Sequence, residues 1–464
     1  MKRLILLPLA ALSACAWLPQ PTPVPPAAVQ AVPPAWTLPA GAGAQRDLAG
    51  WWGDFGDPLL VELVERAQRA NPSLEAAGAA LRQARALRDV AAAALATTVS
   101  LSASAQSSKN GDAAAARTYN ATIDAAWEPD WFGTRRLSLQ ASEGELEVAR
   151  ITLADARVSL AAEVAQAYIT LRAGQERLAI ARDNLASQSE TEQITAWRAQ
   201  AGLLTSLEAE QARAAREQAA ARLPALETAV AQARHALAVL CGEAPGALDA
   251  RLAAPRPLPL AGADFAVSLP AQTLAQRADV RSAQTRVSIA EARFRQADAA
   301  RLPSLKLEGS IGLHGLGIGG VSTTWLTALL GSITGRAFDG GAARAQMAAE
   351  AGALAVAQAN YRSTILQALL EVEDDLQSLA ADKARAARLT QARDAAANAA
   401  LLARQRYASG LTDFQTVLET QRNLFSTQDD LAATRSALAA DQVRLYKALG
   451  GGWEAPPIAG KTTP

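Results

Sequence analysis

Reactive side chains are scarce in this sequence. It has two cysteines and two histidines in 464 residues. His235 and His314 stand alone, without Cys or acidic neighbours at metal-ligand spacing, so no metal site is legible. Serines are plentiful, but none sits in a nucleophile elbow. The glycine-rich "GLGIGG" at Gly315–Gly320 has neither a following Lys-Ser/Thr pair nor a Rossmann pattern, which argues against a phosphate or cofactor cradle. Net charge is absent as well: 45 basic and 45 acidic residues cancel, and no basic stripe with interleaved aromatics marks a nucleic-acid binder. These absences speak against an enzyme and against a nucleic-acid partner. Bulky apolar residues are thin too. Hydrophobic residues make up 50%, yet much of that is Ala, an excellent helix former and a weak core filler. A chain of this length could form two or three ordinary domains, but this composition suits slender helical packing better than one large core.

The first fifteen residues, "MKRLILLPLAALSAC", combine Lys2 and Arg3 with an apolar stretch from Leu4 to Leu12. The stretch is too short to span as a mature transmembrane helix and reads as an export signal over residues 1–14. "LSAC" resembles a lipobox, which would make Cys15 the first mature residue and the site of lipid attachment; an ordinary signal peptide with an incidental Cys is the alternative. Ala16 replaces the Asp associated with inner-membrane retention, so lipoprotein sorting implies the outer membrane. Cys241, in "HALAVLCGEAPG", then has no partner for a disulfide and reads as a buried, inert thiol. Residues 15–45, dominated by the Pro/Ala/Val/Gln run from Pro19 to Pro39, form an extended tether.

The body of the chain occurs twice. "NPSLEAAGAALRQARALRDVAAAALATTVSLSAS" (Asn71–Ser104) aligns with "RADVRSAQTRVSIAEARFRQADAARLPSLKLEGS" (Arg277–Ser310) at an offset of 206. Each is followed by a second strand-like run, a Gly-containing turn ("DWFGTRR", "RAFDGGAAR"), a long helical region, an Arg-x3-Gly-Leu segment at Gly202 or Gly410, and a closing glycine. The first repeat spans 46–255, with strands near 97–128 and a helical tip near 198–206. The second spans 256–453, with strands near 304–335 and a tip near 406–413, before a tail at 454–464. Pro255, Pro257 and Pro259 mark the linker. A duplicated coiled coil would share the Ala-rich similarity but has less reason to repeat strands and glycines in order.

Val99, Leu101 and Ala103 alternate with serines, and Tyr119, Ala121, Ile123 and Ala125 with Asn120, Thr122 and Asp124. Leu305 and Leu307 continue the habit in the second copy, whose last strand, around Thr324–Thr334, is untidy. Segments of about ten alternating residues suit transmembrane barrel strands, although a half-buried soluble sheet alternates identically. Four strands cannot close a barrel, and an open edge cannot sit in lipid. Membrane strands would therefore require oligomerisation, and three subunits would supply twelve. From about Arg135 to the first tip some sixty residues lack Pro, roughly 90 Å of helix at about 1.5 Å per residue. Pro224 predicts a kink or break in the returning helix.

Together, "WWGDFGDPLLVELVERAQRANPSL" (Trp51–Leu74), "EPDWFGTRR" (Glu128–Arg136) and the segment from Arg406 to Trp453 beginning "RYASGLTDFQTVLETQRNLF" resemble the TolC-like outer membrane efflux channels, especially their lipoprotein branch serving tripartite resistance-nodulation-division pumps. The resemblance implies a mainly α fold with a transmembrane β-barrel portion. It further implies a homotrimer with a twelve-stranded barrel in the outer membrane, four strands per subunit, and a long α-helical barrel projecting into the periplasm. A mixed belt would gather the segment after Trp51 and the last turns near Tyr446 and Leu449. Small molecules would be conducted passively, with energy and substrate choice supplied by an inner-membrane pump joined through a periplasmic adaptor. A type I protein-secretion duct shares the fold; a non-conducting structural coiled-coil lipoprotein is the alternative of another class. The two glycines then become helix-to-helix turns at the periplasmic tip, where positive φ is needed. Thr205 or Ser206, and Thr412 or Asp413, would cap the returning helices. Arg198, Gly202, Leu203, Arg406, Gly410 and Leu411 are the candidate adaptor contacts. Family members constrict the entrance with Asp rings; here Glu419 stands where an Asp is usual and Thr416 where some members have a second acid. Trp127, Trp131 and Trp325 fit a membrane interface, and Trp51 and Trp52 fit internal packing.

Overall fold

The computed structural model describes residues 32–38, 41–42, 48, 50–109, 111, 115–262, 266–267, 270–317 and 321–452. The export signal, Cys15, most of the tether and the tail lie outside the described residues.

Each copy runs helix, strand, strand, long helix, helix. The first comprises α1 (Pro58–Ala70), α2 (Pro72–Ala93), β2 (Thr98–Ser108), β3 (Ala116–Trp127), α3 (Thr134–Gln200) and α4 (Ser206–Leu240), preceded by the short β1 (Gly41–Ala42) and a 3-10 turn at Trp51–Phe55. After the short α5 (Asp249–Leu252) and β4 (Ala266–Val267), the second copy comprises α6 (Pro270–Gln276), α7 (Ala278–Ala299), β5 (Ser304–Gly317), β6 (Val321–Thr334), α8 (Ala342–Ala408) and α9 (Phe414–Ala448). The long helices α3 and α8 both have 67 residues, and α4 and α9 both have 35. β1 pairs with β4 in parallel. Helix α4 continues through Pro224 to Leu240, so the proline does not break it.

The chain divides into two compact units. One comprises Ala79–Ile151 and Ser282–Thr364. Its four strands form an antiparallel sheet in the order β2-β3-β5-β6, leaving β2 and β6 as edges. Register puts Leu101, Ile123, Ile311 and Thr327 side by side, and Ser104, Asn120, His314 and Thr324 on the opposite face. The polar face is stitched by side-chain bonds: Ser102 Oγ with Thr122 Oγ1 at 2.7 Å, and Thr122 Oγ1 to Asp124 Oδ2 at 2.9 Å. His314 lies in β5 towards its C-terminal end, with Nδ1 against Asn120 Oδ1. The apolar face is left bare; Leu101 is 78% exposed and Leu329 is 85% exposed. In the same unit, α7 meets α3 where Gly144 admits Ile289, whose Cγ1 would stand 2.4 Å from an added Cβ. Ala141, Val148, Ile289 and Ala292 form the local core.

The other unit comprises the described parts of Ala31–Gly78, Thr152–Arg281 and Ile365–Pro464. Helix α1 starts where the Asp57 carboxylate accepts the Leu59 amide at 2.9 Å, with Pro58 at the first helical position. It buries Leu59, Leu60, Leu63, Val64 and Ala67, the stripe that helical period requires. These side chains join Val164, Tyr168, Leu237 and Leu252 in the main core, and Trp51 stacks on Tyr446 with ring centroids 5.0 Å apart. Here the duplication is visible in detail. Asn71 Nδ2 donates to the Leu240 carbonyl at 2.9 Å, closing the end of α4; its repeat counterpart Arg277 donates to the Ala448 carbonyl at 2.8 Å, closing α9. Gly242 lies against Ala70 and Gly450 against Gln276, again at equivalent positions, and both adopt positive φ.

Candidate functional site

Helices α3 and α8 end in the same turn. The Leu203 amide donates to Arg198 O at 2.8 Å and the Gly202 amide to Ala199 O at 3.0 Å. In the second copy Leu411 donates to Arg406 O at 2.8 Å and Gly410 to Tyr407 O at 3.0 Å. This bond pair is a Schellman closure, which demands a left-handed residue; Gly202 and Gly410 both have φ of 72°. The leucines that follow are thrust outward, Leu203 at 73% and Leu411 at 77% exposure.

The returning helices are capped differently. Thr205 is the N-cap of α4, and the Glu208 carboxylate accepts both its amide and its hydroxyl, at 3.0 and 3.1 Å. Asp413 is the N-cap of α9, accepting the Thr416 amide at 2.9 Å and hydroxyl at 2.6 Å; those bonds hold its carboxyl below the usual carboxylate range. Ser206 is instead the first residue of α4, and Thr412 precedes the cap residue. Thr416 thus has its hydroxyl tied to Asp413. Glu419 lies exposed one turn on, along the face of α9 that also carries Asn423 and Asp430.

Behind the turns the two hairpins interlock. Tyr407, Phe414, Val417 and Leu418 pack with Ala212, Ala215 and Ala403, flanked by Ile194 and Leu204. Arg198 reaches across from α3. Its guanidinium donates to the carbonyls of Tyr407 at 2.9 Å and Ala408 at 2.8 Å, and lies 4.7 Å from the Tyr407 ring centroid. It therefore serves as a C-cap for α8 within the chain, where a cation meets the negative end of the helix dipole. Arg406 is exposed. Farther along, Gln421 Nε2 donates to Ser187 Oγ at 3.2 Å and Thr191 Oγ1 at 2.9 Å, and Arg177 grips Asp429 with bonds of 2.6 and 2.9 Å. Sequence reading missed Gln421, Arg177 and Asp429. The spacing of Phe414, Val417, Leu418 and Gln421 at i, i+3, i+4 and i+7 marks the buried face and was the available signal.

Away from the turns, a cavity of about 1200 Å³ is lined by Asp155, Glu163, Asp279, Glu371, Asp374 and Asp375 together with Arg277, Arg444 and Lys447. Burial pushes Asp375 up to about 6 despite Arg444, and burial does the same for nearby Asp441. Cys241 is fully buried, and burial with Glu243 nearby pushes its thiol up to about 11. Among the described residues no three His, Cys, Asp or Glu side chains converge to hold a metal. No helix among them is long and apolar enough to cross a membrane.

Residues 63–243 and 269–451, one block per repeat, match the outer membrane efflux protein family. The chain belongs to this family. It is 32% identical over 475 residues to the pyoverdine export outer membrane protein OpmQ of Pseudomonas putida, covering 98% of each chain. It is 32% identical over 463 residues to the toluene efflux pump outer membrane protein TtgC, also of Pseudomonas putida, covering 95% of this chain and 93% of that one. Its fold superposes on the solved outer-membrane channel OprN with a TM-score of 0.85 at 32% identity, over 93% of this chain and 99% of the other. The protein is an outer-membrane channel component of efflux-type systems, with the mainly helical fold and small sheet of the family's trimeric channels and a periplasmic helical domain. The family's role is non-catalytic.

Proposed function

We propose that three copies assemble into one conduit for small molecules. The observation that carries this is the sheet: four strands with an apolar face exposed and with β2 and β6 both open edges. Lipid tolerates no unpaired edge. Three such sheets pairing edge to edge give a closed barrel of twelve strands, within the range of outer-membrane barrels. Cys15, acylated as a lipoprotein, anchors the mature N-terminus in the outer membrane; the described part of the tether is not a free extended segment but packs on the body, with Trp36 buried against Val372 and Leu445. The tips, with Leu203 and Leu411 beside Gly202 and Gly410, receive a periplasmic adaptor. Arg198, held on the neighbouring hairpin, sets the shape of that surface, and Arg406 borders it. A resistance-nodulation-division pump in the inner membrane supplies the energy. One Glu419 from each copy makes a ring of three carboxylates at the entrance, with Thr416 beside it, favouring cations and resisting closure against like charge.

Native mass spectrometry of detergent-extracted protein tests the assembly: three copies, each carrying the mass of acyl chains lost in Cys15→Ser, are expected. Monomers from correctly folded protein would sink the proposal, and an unmodified Cys15 would remove the anchor while leaving the trimer.

A further inference from the structure

The duplication places Leu402 and Arg406 of α8 where α3 has Ile194 and Arg198, 208 positions earlier. Their surroundings differ. Ile194 packs against the Tyr407–Phe414 cluster, and Arg198 caps the last carbonyls of α8. Leu402 is 55% exposed, and Arg406 is exposed, its side chain making no hydrogen bond or ion pair to any described residue. The matching carbonyls also lack a side-chain donor: no side chain among the described residues donates to Ala199 O or Gln200 O, the counterparts of Tyr407 O and Ala408 O. Within the chain, then, one half of a repeated contact is made and the other half is left open.

We infer that Arg406 is an inter-subunit latch: it caps the C-terminus of α3 in the next copy of this chain, donating to its Ala199 and Gln200 carbonyls. The inference rests on the trimer proposed above. The occupant is a second copy because the complementary surface, the α3–α4 turn, is a partner for which the described residues themselves display the docked geometry. The backbone bonds closing the two turns agree in length, so the acceptor carbonyls are presented alike. The Arg fork meets two adjacent carbonyls at the negative end of a helix, an arrangement that a Lys point charge reproduces only in part. The inter-subunit seam is also leaner. Ala199, Ser206 and Ala209 stand where the intrachain contact has Tyr407, Phe414 and Val417. Arg406 therefore contributes a larger share of its seam than Arg198 does of its own, and it holds shut the joints between subunits.

Cysteine pairs test the geometry. The double variant Arg406→Cys with Gln200→Cys, treated with a short bis-maleimide, should give dimers and trimers on a denaturing gel, whereas either single variant should not. The equivalent pair Arg198→Cys with Ala408→Cys should link within one chain and serves as the reactivity control. The native Cys241 is buried and stays silent. Hydrogen exchange tests the role: Arg406→Ala should speed exchange of the Gly202 and Leu203 amides about tenfold, in a turn its own chain does not bring it to, and Arg406→Lys should fall between. No inter-subunit link from an intact trimer whose control pair links, or unchanged exchange at Gly202 and Leu203, overturns the latch. A native mass short of three copies overturns the trimer itself, and the latch with it.

Discussion

Replacing Arg198 with Ala removes a contact whose parts can be weighed separately. Two charge-assisted bonds, of 2.9 and 2.8 Å, end on Tyr407 O and Ala408 O, one partly buried and one exposed. Full burial would make each worth about 1.5–3 kcal/mol, and solvent screening reduces this to roughly 0.5–1 each. The guanidinium over the Tyr407 ring adds about 0.5–1 kcal/mol at a half-exposed site. The sum is about 2 kcal/mol, and at 1.4 kcal/mol per decade it corresponds to a roughly 30-fold change in a local opening equilibrium. The amides that report it are Gly410 and Leu411, whose bonds to Tyr407 O and Arg406 O close the α8 turn. Hydrogen exchange followed by mass spectrometry on folded protein should therefore show those amides exchanging about 30-fold faster in Arg198→Ala. The core amides near Tyr168 should keep their protection. Unchanged exchange at Gly410 and Leu411 would show that the turn closes without the cross-hairpin cap and would refute the reasoning.

Other consequences follow from the same geometry. Gly410→Ala meets open space but must hold φ of 72°, so it should cost about 1–2 kcal/mol and lower the midpoint of thermal unfolding modestly. Gly242→Ala should cost more, because its new Cβ would lie 2.3 Å from the Ala70 carbonyl oxygen in addition to a positive φ. Burial raises Asp375 and Asp441 from 3.8 to about 6, so folding favours their protonated forms. That stabilisation is complete below about pH 4 and is lost as pH rises through 6. Thermal stability contributed by this region should fall between those values, and Asp441→Asn should flatten the dependence; a midpoint that rises across the window would contradict the assignment. Leu411→Glu puts a charge on an exposed apolar knob and should weaken adaptor binding about tenfold, measured by surface plasmon resonance, without altering trimer mass.

How much of this was legible in the sequence depended on the range of each interaction. Strand alternation is local, so β2 and β3 could be read from Val99–Ala105 and Tyr119–Trp127. The last strand read poorly because β6 carries Leu326 and Leu330 on the face it shares with Ser322 and Thr324, which breaks the alternation at an edge. The turn glycines were legible because positive φ is a demand of the backbone alone. Arg198 was not. Its acceptors lie about 210 residues away, and an Arg one helical turn before a Gly looks the same whether it meets solvent, a partner or a neighbouring helix. Of the two outcomes that Pro224 allows, a break is absent, since α4 continues to Leu240. The correspondence between Asn71 and Arg277 lay inside the aligned repeats, yet unlike residues performing one capping task hid it.

Conduction remains the central claim, and planar-bilayer recording of the purified trimer tests it most directly, with wild type compared against Glu419→Ala, with and without adaptor. The account predicts discrete, cation-biased currents that grow when Glu419 is replaced. Silent bilayers from trimers shown to be inserted and folded, with the adaptor present as well, would contradict it.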